Sequence, residues 1–374
     1  MVEVTDFGIY LHIPFCVKKC SYCAFYSLPK SEKTLFDSYT DALCSEINSD
    51  NYIDSSAVCS SVYFGGGTPS LLSDDNLINI LESINNRYSL TNDCEITLEC
   101  NPAQYEFKRF SRLVQNGINR FSMGIQTLNP QLHDYIGRTG KPVSCDLIES
   151  YLSIPALCGV DFIIGIRDGY SALPDIERVI QYKPDHVSAY LLTLESDTAL
   201  FKYADTKCLD TFQRKEYLDV SNFLKENGYD HYEISNFAIN GAYSKHNLKY
   251  WNGSDYRGYG AGAHSYLRGE RYFHDDDVYL YIDEKGANLR KDNRKPSDIL
   301  VELVFTGLRT SKGVSEFNYN RITGKKFPEE LCKRVQGLSE LECVVDNGWR
   351  RIYIKPVNFV DYDTIIYQLL EPFI

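Results

Sequence analysis

Residues 10–23 read Tyr10-Leu-His-Ile-Pro-Phe-Cys16-Val-Lys-Lys-Cys20-Ser-Tyr-Cys23. A β-rich run, Phe7–Ile13, leads through Pro14 into a loop that carries three thiols spaced C-x3-C-x2-C. One short loop of this kind can wrap the corner of an iron–sulfur cube. A [4Fe–4S] cluster usually takes four thiolates. Three leave one iron open, by the logic that keeps a free position on a catalytic metal. Zinc is the competing occupant. It needs a fourth ligand, with His12 nearest in sequence, and the spacing is unlike the common zinc ribbons. Three cysteines grouped by chance is the remaining reading, and it explains neither the tight spacing nor the place at a strand end.

Outward from this loop, strands and helices alternate. Candidate strands are Phe7–Ile13, Ser61–Phe64, Cys94–Glu99, Asn119–Met123, Val160–Ile166 and His186–Leu191, rich in Val, Ile, Phe and Tyr. Between them, Leu77, Ile80, Leu81 and Ile84 share one helical face after Ser73, a fitting N-cap. Phe107, Phe110, Leu113 and Val114 do the same and stop at Gly117. A weaker third pattern runs through Leu209, Phe212, Leu218, Val220 and Phe223. Such alternation implies βαβ units and a parallel sheet. Six strands are fewer than the eight of a closed TIM barrel. The expected fold is therefore α/β, a partial (β/α)6 TIM-like barrel with its ligand site at the C-terminal strand ends. A smaller C-terminal α+β domain follows. The polar stretch Asn288–Ser297 with Pro296 marks the break, giving domains 1–286 and 287–374. Asp298–Leu308 has a helical pattern, and Trp349–Ile354 fits one strand of a terminal hairpin.

Composition excludes several function classes. The charge is 39 − 51 = −12, so a basic nucleic-acid footprint is absent. No apolar run approaches the ~18 residues of a membrane span. Residues 1–6 hold two acids and no base, unlike a secretory leader. The twelve cysteines then belong in a reducing compartment, the cytoplasm, as ligands or small core residues rather than a disulfide frame.

The 10–23 stretch resembles the signature of the radical S-adenosylmethionine (radical SAM) superfamily. Within it the chain is similar to the anaerobic coproporphyrinogen III oxidase family and its HemW branch of haem chaperones. Further segments continue the resemblance over most of residues 7–310: Phe64-Gly-Gly-Gly-Thr-Pro-Ser70, Glu99-Cys-Asn-Pro102, Gly117 to Gln126, Ile136-Gly-Arg138, Asp161 to Gly165, His186 to Tyr190 and the His231–His264 region. The resemblance implies that Cys16, Cys20 and Cys23 hold three irons and that SAM chelates the fourth. It implies SAM contacts at Gly66, Gly67, Thr68, Glu99, Gln126, Arg138, Asp161 and Ala189, with Tyr10 and Tyr22 near the cluster and adenine. Glycines at 66 and 67 let backbone amides approach the methionine end. Arg138 supplies a fork donor for the carboxylate. Asp161 sits early in its expected strand, which weakens its case. The family chemistry is reductive cleavage of SAM to a 5′-deoxyadenosyl radical.

Two features point to the chaperone branch. The oxidase has a fourth cysteine two residues after the third, where this chain has Phe25. The segment His246-Asn-Leu-Lys-Tyr-Trp251 resembles the H-N-x-x-Y-W segment tied to haem binding. His246 would ligate haem iron, with Tyr250 and Trp251 stacking on the macrocycle. His264 is the second choice of ligand and His12 belongs to the cluster pocket. A structural or SAM-pocket role for His246 is the competing reading. The implied partners are haem and a haem-acceptor protein, with no nucleic acid and no membrane span; peripheral contact with a membrane-bound acceptor stays open. The alternative function is oxygen-independent coproporphyrinogen III oxidase, and a third is a radical SAM enzyme on an unrelated substrate. One departure concerns Gly165-Ile-Arg-Asp-Gly169, which stands where the family has Gly-Leu-Pro.

Overall fold

The computed structural model describes residues 5–29, 32–54, 56–204 and 209–374. All six expected strands form: β1 (Asp6–Ile13), β2 (Val58–Gly66), β3 (Ser89–Cys100), β4 (Arg120–Gln126), β5 (Leu157–Ile164) and β6 (His186–Leu191). They pair in parallel in sequence order. Helices Lys33–Ser49, Asp74–Arg87, Phe107–Gln115, Cys145–Leu152 and Leu173–Ile180 make the crossovers, and Leu209–Glu226 follows β6. The second of these starts as the sequence implies, with Ser73 Oγ accepting the Asn76 amide at 3.1 Å.

A seventh parallel strand, β7 (Asp255–Tyr259), pairs with the outer edge of β1. The sequence reading missed it because its five residues lack β-branched side chains and include Asp255 and Arg257. Arg257 is tolerated there because Glu46 lies at 2.6 Å and Asp50 at 3.1 Å from its guanidinium, all three buried. Antiparallel strands extend the sheet beyond β7 (His264–Leu267, Glu270–Phe273, Arg290–Lys291) and beyond β6 (Asn236–Ala238, Asp230–Glu233). The sheet therefore keeps two free edges and remains a partial barrel. Arg290–Lys291, its outermost rung on one side, lies past residue 286.

The two faces of the parallel sheet differ sharply. By register, Phe7, Ile9, Leu11, Val62, Phe64, Leu98, Phe121, Met123, Val160, Phe162, Val187 and Ala189 share the face under the helices, and all are buried. Each large side chain there stabilises the fold by about 1.5–3 kcal/mol. The inner face is polar: Ser61, Tyr63, Glu95, Thr97, Glu99, Arg120, Ser122, Asp161, His186 and Ser188. One face thus carries the hydrophobic stability and leaves the other for hydrogen bonding.

Helix Lys245–Asn252 closes the floor, at the N-terminal strand ends. Its first-turn amides at Lys245 and His246 donate to the two oxygens of Glu95, at 3.1 and 3.0 Å. A carboxylate at a helix N-terminus is favoured by the dipole and by the unpaired amides there. The C-terminal part holds helix Pro296–Gly307 and a three-stranded sheet, in which Leu341–Asp346 and Trp349–Ile354 form the expected hairpin. Its turn, Asn347-Gly348, has φ values of 49° and 82°, as a tight hairpin turn demands.

Candidate cluster and nucleotide site

The cysteine loop leaves β1 at the C-terminal mouth and is tied at both ends. Phe15 and Cys16 pair in parallel with Leu28 and Pro29, and the Leu28 amide donates to Pro14 at 2.6 Å. Its midpoint is pinned twice. Ser21 donates its amide to Ile136, at 3.0 Å, and accepts from Leu200, at 2.7 Å. The contact needs a glycine at 137: φ is +71°, and a Cβ there would lie 2.2 Å from Ser21 Oγ. The sequence reading quoted Ile136-Gly-Arg138 but gave Gly137 no role.

Cys16, Cys20 and Cys23 are half-buried free thiols. Burial raises the Cys16 and Cys23 thiols; Thr68 and Ser27 partly offset this at Cys16, and Cys20 adds to it at both. The three sulfurs thus feel one another. Among the described residues, no three Cys, His, Asp or Glu converge as a single-ion site requires. The irons of a cube are separate points, so its thiolates need not converge, and three thiols on one tied loop fit such a cluster. His12 does not fit as a fourth zinc ligand. Its Nδ1 pairs with Tyr10 Oη at 2.9 Å and its Nε2 meets the Tyr26 carbonyl at 3.3 Å.

Above the loop, Gly66 and Gly67 hold the end of β2 close to β1. A Cβ at Gly66 would strike the His12 ring at 2.7 Å, and one at Gly67 the Phe15 carbonyl at 2.6 Å. The expectation of free amides is corrected. Gly67 and Thr68 already donate to Ile13 and Phe15, at 2.9 and 2.8 Å, so the glycines set a close approach of strand and loop instead. Thr68 Oγ1 lies 3.7 Å from Cys16 Sγ.

Glu99 and Asp161 look into the same space. Tyr63 donates to Glu99 at 2.7 Å. Burial lifts the Glu99 carboxyl to about 7; the Asp161 charge adds to this, and Tyr63 and the Gly66 amide oppose it. Asp161 accepts from Ser122 Oγ at 3.0 Å, and burial raises its carboxyl too. Asp161 lies mid-strand on the inner face, a stronger position than its sequence context implied. Gln126 ends β4 beyond a register shift, with φ at 68°. Its amide folds back over Gly124, whose missing Cβ would lie 2.9 Å from Nε2. Such backbone strain in a non-glycine residue persists where the surroundings hold it, commonly at binding sites. The Arg138 guanidinium donates to the Gly124 carbonyl and to Tyr22. Tyr22 packs with Leu132, Ile136 and Leu200 below the cysteine loop.

Two expected positions land elsewhere. Ala189 lies on the helix side of β6, 1% exposed, and its amide donates to Ser235. His246 sits on the floor, 0% exposed. Its Nδ1 meets Ser61 Oγ at 3.0 Å and its Nε2 meets Tyr250 Oη at 2.8 Å. Tyr63 stacks on the ring at a centroid distance of 5.2 Å. Burial, helped by Lys249, lowers the imidazole to about 3. Both ring nitrogens are thus engaged by hydroxyls, so a role for His246 as haem ligand requires Ser61 or Tyr250 to give up its bond. Tyr250 is taken up by that bond, and Trp251 lies 4.7 Å from the Arg309 guanidinium. Both side chains are half-buried. The departing loop Gly165–Gly169 is held by Glu216, which accepts the Gly165 and Ala172 amides.

The radical SAM superfamily pattern matches residues 10–167, which span the cysteine loop, Gly66–Thr68, Glu99, Gln126, Arg138 and Asp161. The heme chaperone HemW of Buchnera aphidicola subsp. Schizaphis graminum is 35% identical over 267 residues, 71% of each chain. The heme chaperone HemW of Bacillus subtilis is 31% identical over 358 residues, 91% of each. Among solved structures, the coproporphyrinogen III oxidase HemN of Escherichia coli, a radical SAM enzyme, superposes with a TM-score of 0.80 at 20% identity, over 99% of this chain and 91% of that one. That likeness speaks for the fold. The two sequence matches carry the assignment: the chain belongs to the HemW branch of the radical SAM superfamily.

Proposed function

We propose that this chain is a haem chaperone, which binds haem and passes it to an acceptor protein. The carrying observation is its likeness to proteins named heme chaperone HemW, at 31% identity over 91% of both chains in one case. Phe25 in place of the oxidase's fourth cysteine supports this over porphyrinogen decarboxylation. Membership of the superfamily brings a [4Fe–4S] cluster and SAM, which together supply one-electron chemistry. In our reading Cys16, Cys20 and Cys23 hold three irons, and the amino-acid end of SAM takes the fourth. Arg138 orients the SAM carboxylate, Glu99 and Gln126 bind its ribose and sulfonium end, and Asp161, Gly66, Gly67 and Thr68 shape the pocket. Tyr10 and Tyr22 wall it, and Ala189 offers its carbonyl. A reducing cytoplasm suits the twelve cysteines. Among the described residues no helix is long and apolar enough to cross a membrane. The acceptor would then meet the protein at a surface.

The test is a haem titration of anaerobically reconstituted protein, with and without SAM, next to an assay of carbon dioxide release from coproporphyrinogen III. The expected result is a saturable Soret band and no decarboxylation. Steady decarboxylation over many turnovers would overturn the chaperone reading in favour of the oxidase.

A further inference from the structure

The proposed function uses the three thiols of the cysteine loop and gives the C-terminal sheet no role. Among the described residues, Cys343 alone is an exposed thiol. It lies on Leu341–Asp346, the edge strand of the three-stranded sheet, which pairs on one side with Trp349–Ile354. Register sets its direction. Leu341, Cys343 and Val345 stand opposite Ile354, Ile352 and Arg350, so all six share one face. Leu341, Ile352 and Ile354 are buried there, in the same core as Leu331 and Val335 of helix Glu329–Gln336. Cys343 and Arg350 are diagonal neighbours on that face, a spacing that a long side chain spans.

The helix brings a second thiol. Cys332 is half-buried against the core, and the Arg350 guanidinium donates to its sulfur. Glu316 fixes this arginine: one carboxylate oxygen accepts the Arg350 amide at 3.1 Å, and the other lies 3.9 Å from Nε. One held guanidinium thus serves both cysteines, and the two sulfurs feel each other. Burial raises the Cys343 thiol, Cys332 adds to this, and Arg350 opposes it. A guanidinium donating to sulfur suits the thiolate, the form that attacks disulfides. In a reducing compartment, the disulfides that do form are usually transient or redox-sensing.

We propose that Cys332 and Cys343 are a redox-responsive pair that closes into a disulfide on meeting a soluble low-molecular-weight disulfide, clasping helix Glu329–Gln336 to the sheet edge. The exchange balances in two steps. The exposed Cys343 thiolate attacks one sulfur of the soluble disulfide, forming a mixed disulfide and releasing one thiol. The Cys332 thiolate, with Arg350 on its sulfur, then attacks Cys343 and expels the second thiol. Two protein thiols are oxidised, one soluble disulfide is reduced to two thiols, and the cysteine protons pass to the leaving thiolates. No residue of the cluster loop or inner face takes part, so the pair stands or falls apart from the haem-chaperone reading.

The experiment holds the full-length protein anaerobically with glutathione disulfide, blocks remaining thiols by alkylation, and maps tryptic peptides by mass spectrometry. Cleavage after Lys333 and Arg334 places the two cysteines on separate peptides. We expect a cross-link between Cys332 and Cys343 that excess glutathione reverses. Cys332→Ser should stop at a glutathione adduct on Cys343, and Cys343→Ser should leave Cys332 without a cross-link. Arg350→Gln should form the adduct but close at least tenfold more slowly. Because Cys343 is exposed, its serine variant should fold, as circular dichroism can show. The inference is overturned if wild-type Cys343 stays unmodified, if its glutathione adduct accumulates without closing, or if either cysteine cross-links elsewhere instead. Equal closure rates in the wild type and folded Arg350→Gln would overturn the part given to the guanidinium.

Discussion

The mouth and the floor of the inner face use the same residue types to opposite ends. On the floor, Glu95, Arg120, Ser61 and His246 are buried, and their polar atoms are matched to one another, to helix Lys245–Asn252 or, for Arg120, to the Ala242 carbonyl before it. At the mouth, the three cysteines, Glu99, Gln126 and Arg138 are only half-buried, and the carboxyl of Glu99 is held near neutral titration. The floor is a finished structure; the mouth is set for something still to arrive. A sequence motif rich in His, Tyr and Trp does not reveal which of the two it serves, because a satisfied network and a ligand site draw on the same donors.

Breaking the mouth at its thiols has the largest expected effect. Cys20→Ser should abolish the iron and sulfide content of anaerobically reconstituted protein while leaving the urea midpoint of the metal-free chain unchanged. A retained cluster would remove Cys20 from the ligand set. On the floor, His246→Ala should cost about 2–4 kcal/mol of unfolding free energy, since it opens a cavity and strands Ser61 and Tyr250. The pH dependence sharpens this. The unfolded imidazole takes up a proton near 6.5, and the folded one only near 3. The unfolded chain therefore binds more protons in that window, and His246 makes the protein lose stability as pH falls through it. The variant should show a flatter acid limb.

Glu99 works with the opposite sign. Its folded carboxyl keeps its proton up to about 7 against an ordinary 4.5, so its contribution is lost as pH rises between them. Glu99→Ala should weaken SAM binding by about 1–3 kcal/mol and remove that alkaline decline; unchanged SAM affinity by calorimetry takes Glu99 out of the site. The smallest effect is expected at the latch. Gly137→Ala should cost about 1–2 kcal/mol, because the left-handed backbone and the Ser21 contact both resist a Cβ. An unaltered melting temperature would mean that the loop is held by other contacts.

Much of this was legible in the residues. Six strands, two of the five crossover helices (Asp74–Arg87 and Phe107–Gln115) and the C-x3-C-x2-C loop follow from periodicity and spacing. β7 did not, because its arginine is neutralised by acids from a helix some two hundred residues earlier. The surroundings of His246 were hidden for a related reason. Whether an imidazole is free depends on Ser61 and Tyr250 reaching both nitrogens, and the partner Ser61 lies 185 positions away in the chain. Likewise, the glycines at 66 and 67 were recognised as a close approach, while the partner that approaches, the backbone of residues 13–15, emerges only with the register of β1 against β2.

The pin at Ser21 has a consequence for the order in which the protein is loaded. Its carbonyl partner Ile136 stands two residues from Arg138, the side chain proposed for the SAM carboxylate, with Gly137 wedged between loop and arginine. Metal assembly and nucleotide capture therefore share one hinge. If Arg138 holds SAM as proposed, ordering the thiol loop around iron would preset it, and SAM seated there would steady the loop in return. By reciprocity, each should tighten the other by the same factor. A cell short of iron would then hold this protein with a nucleotide pocket that is correspondingly slack.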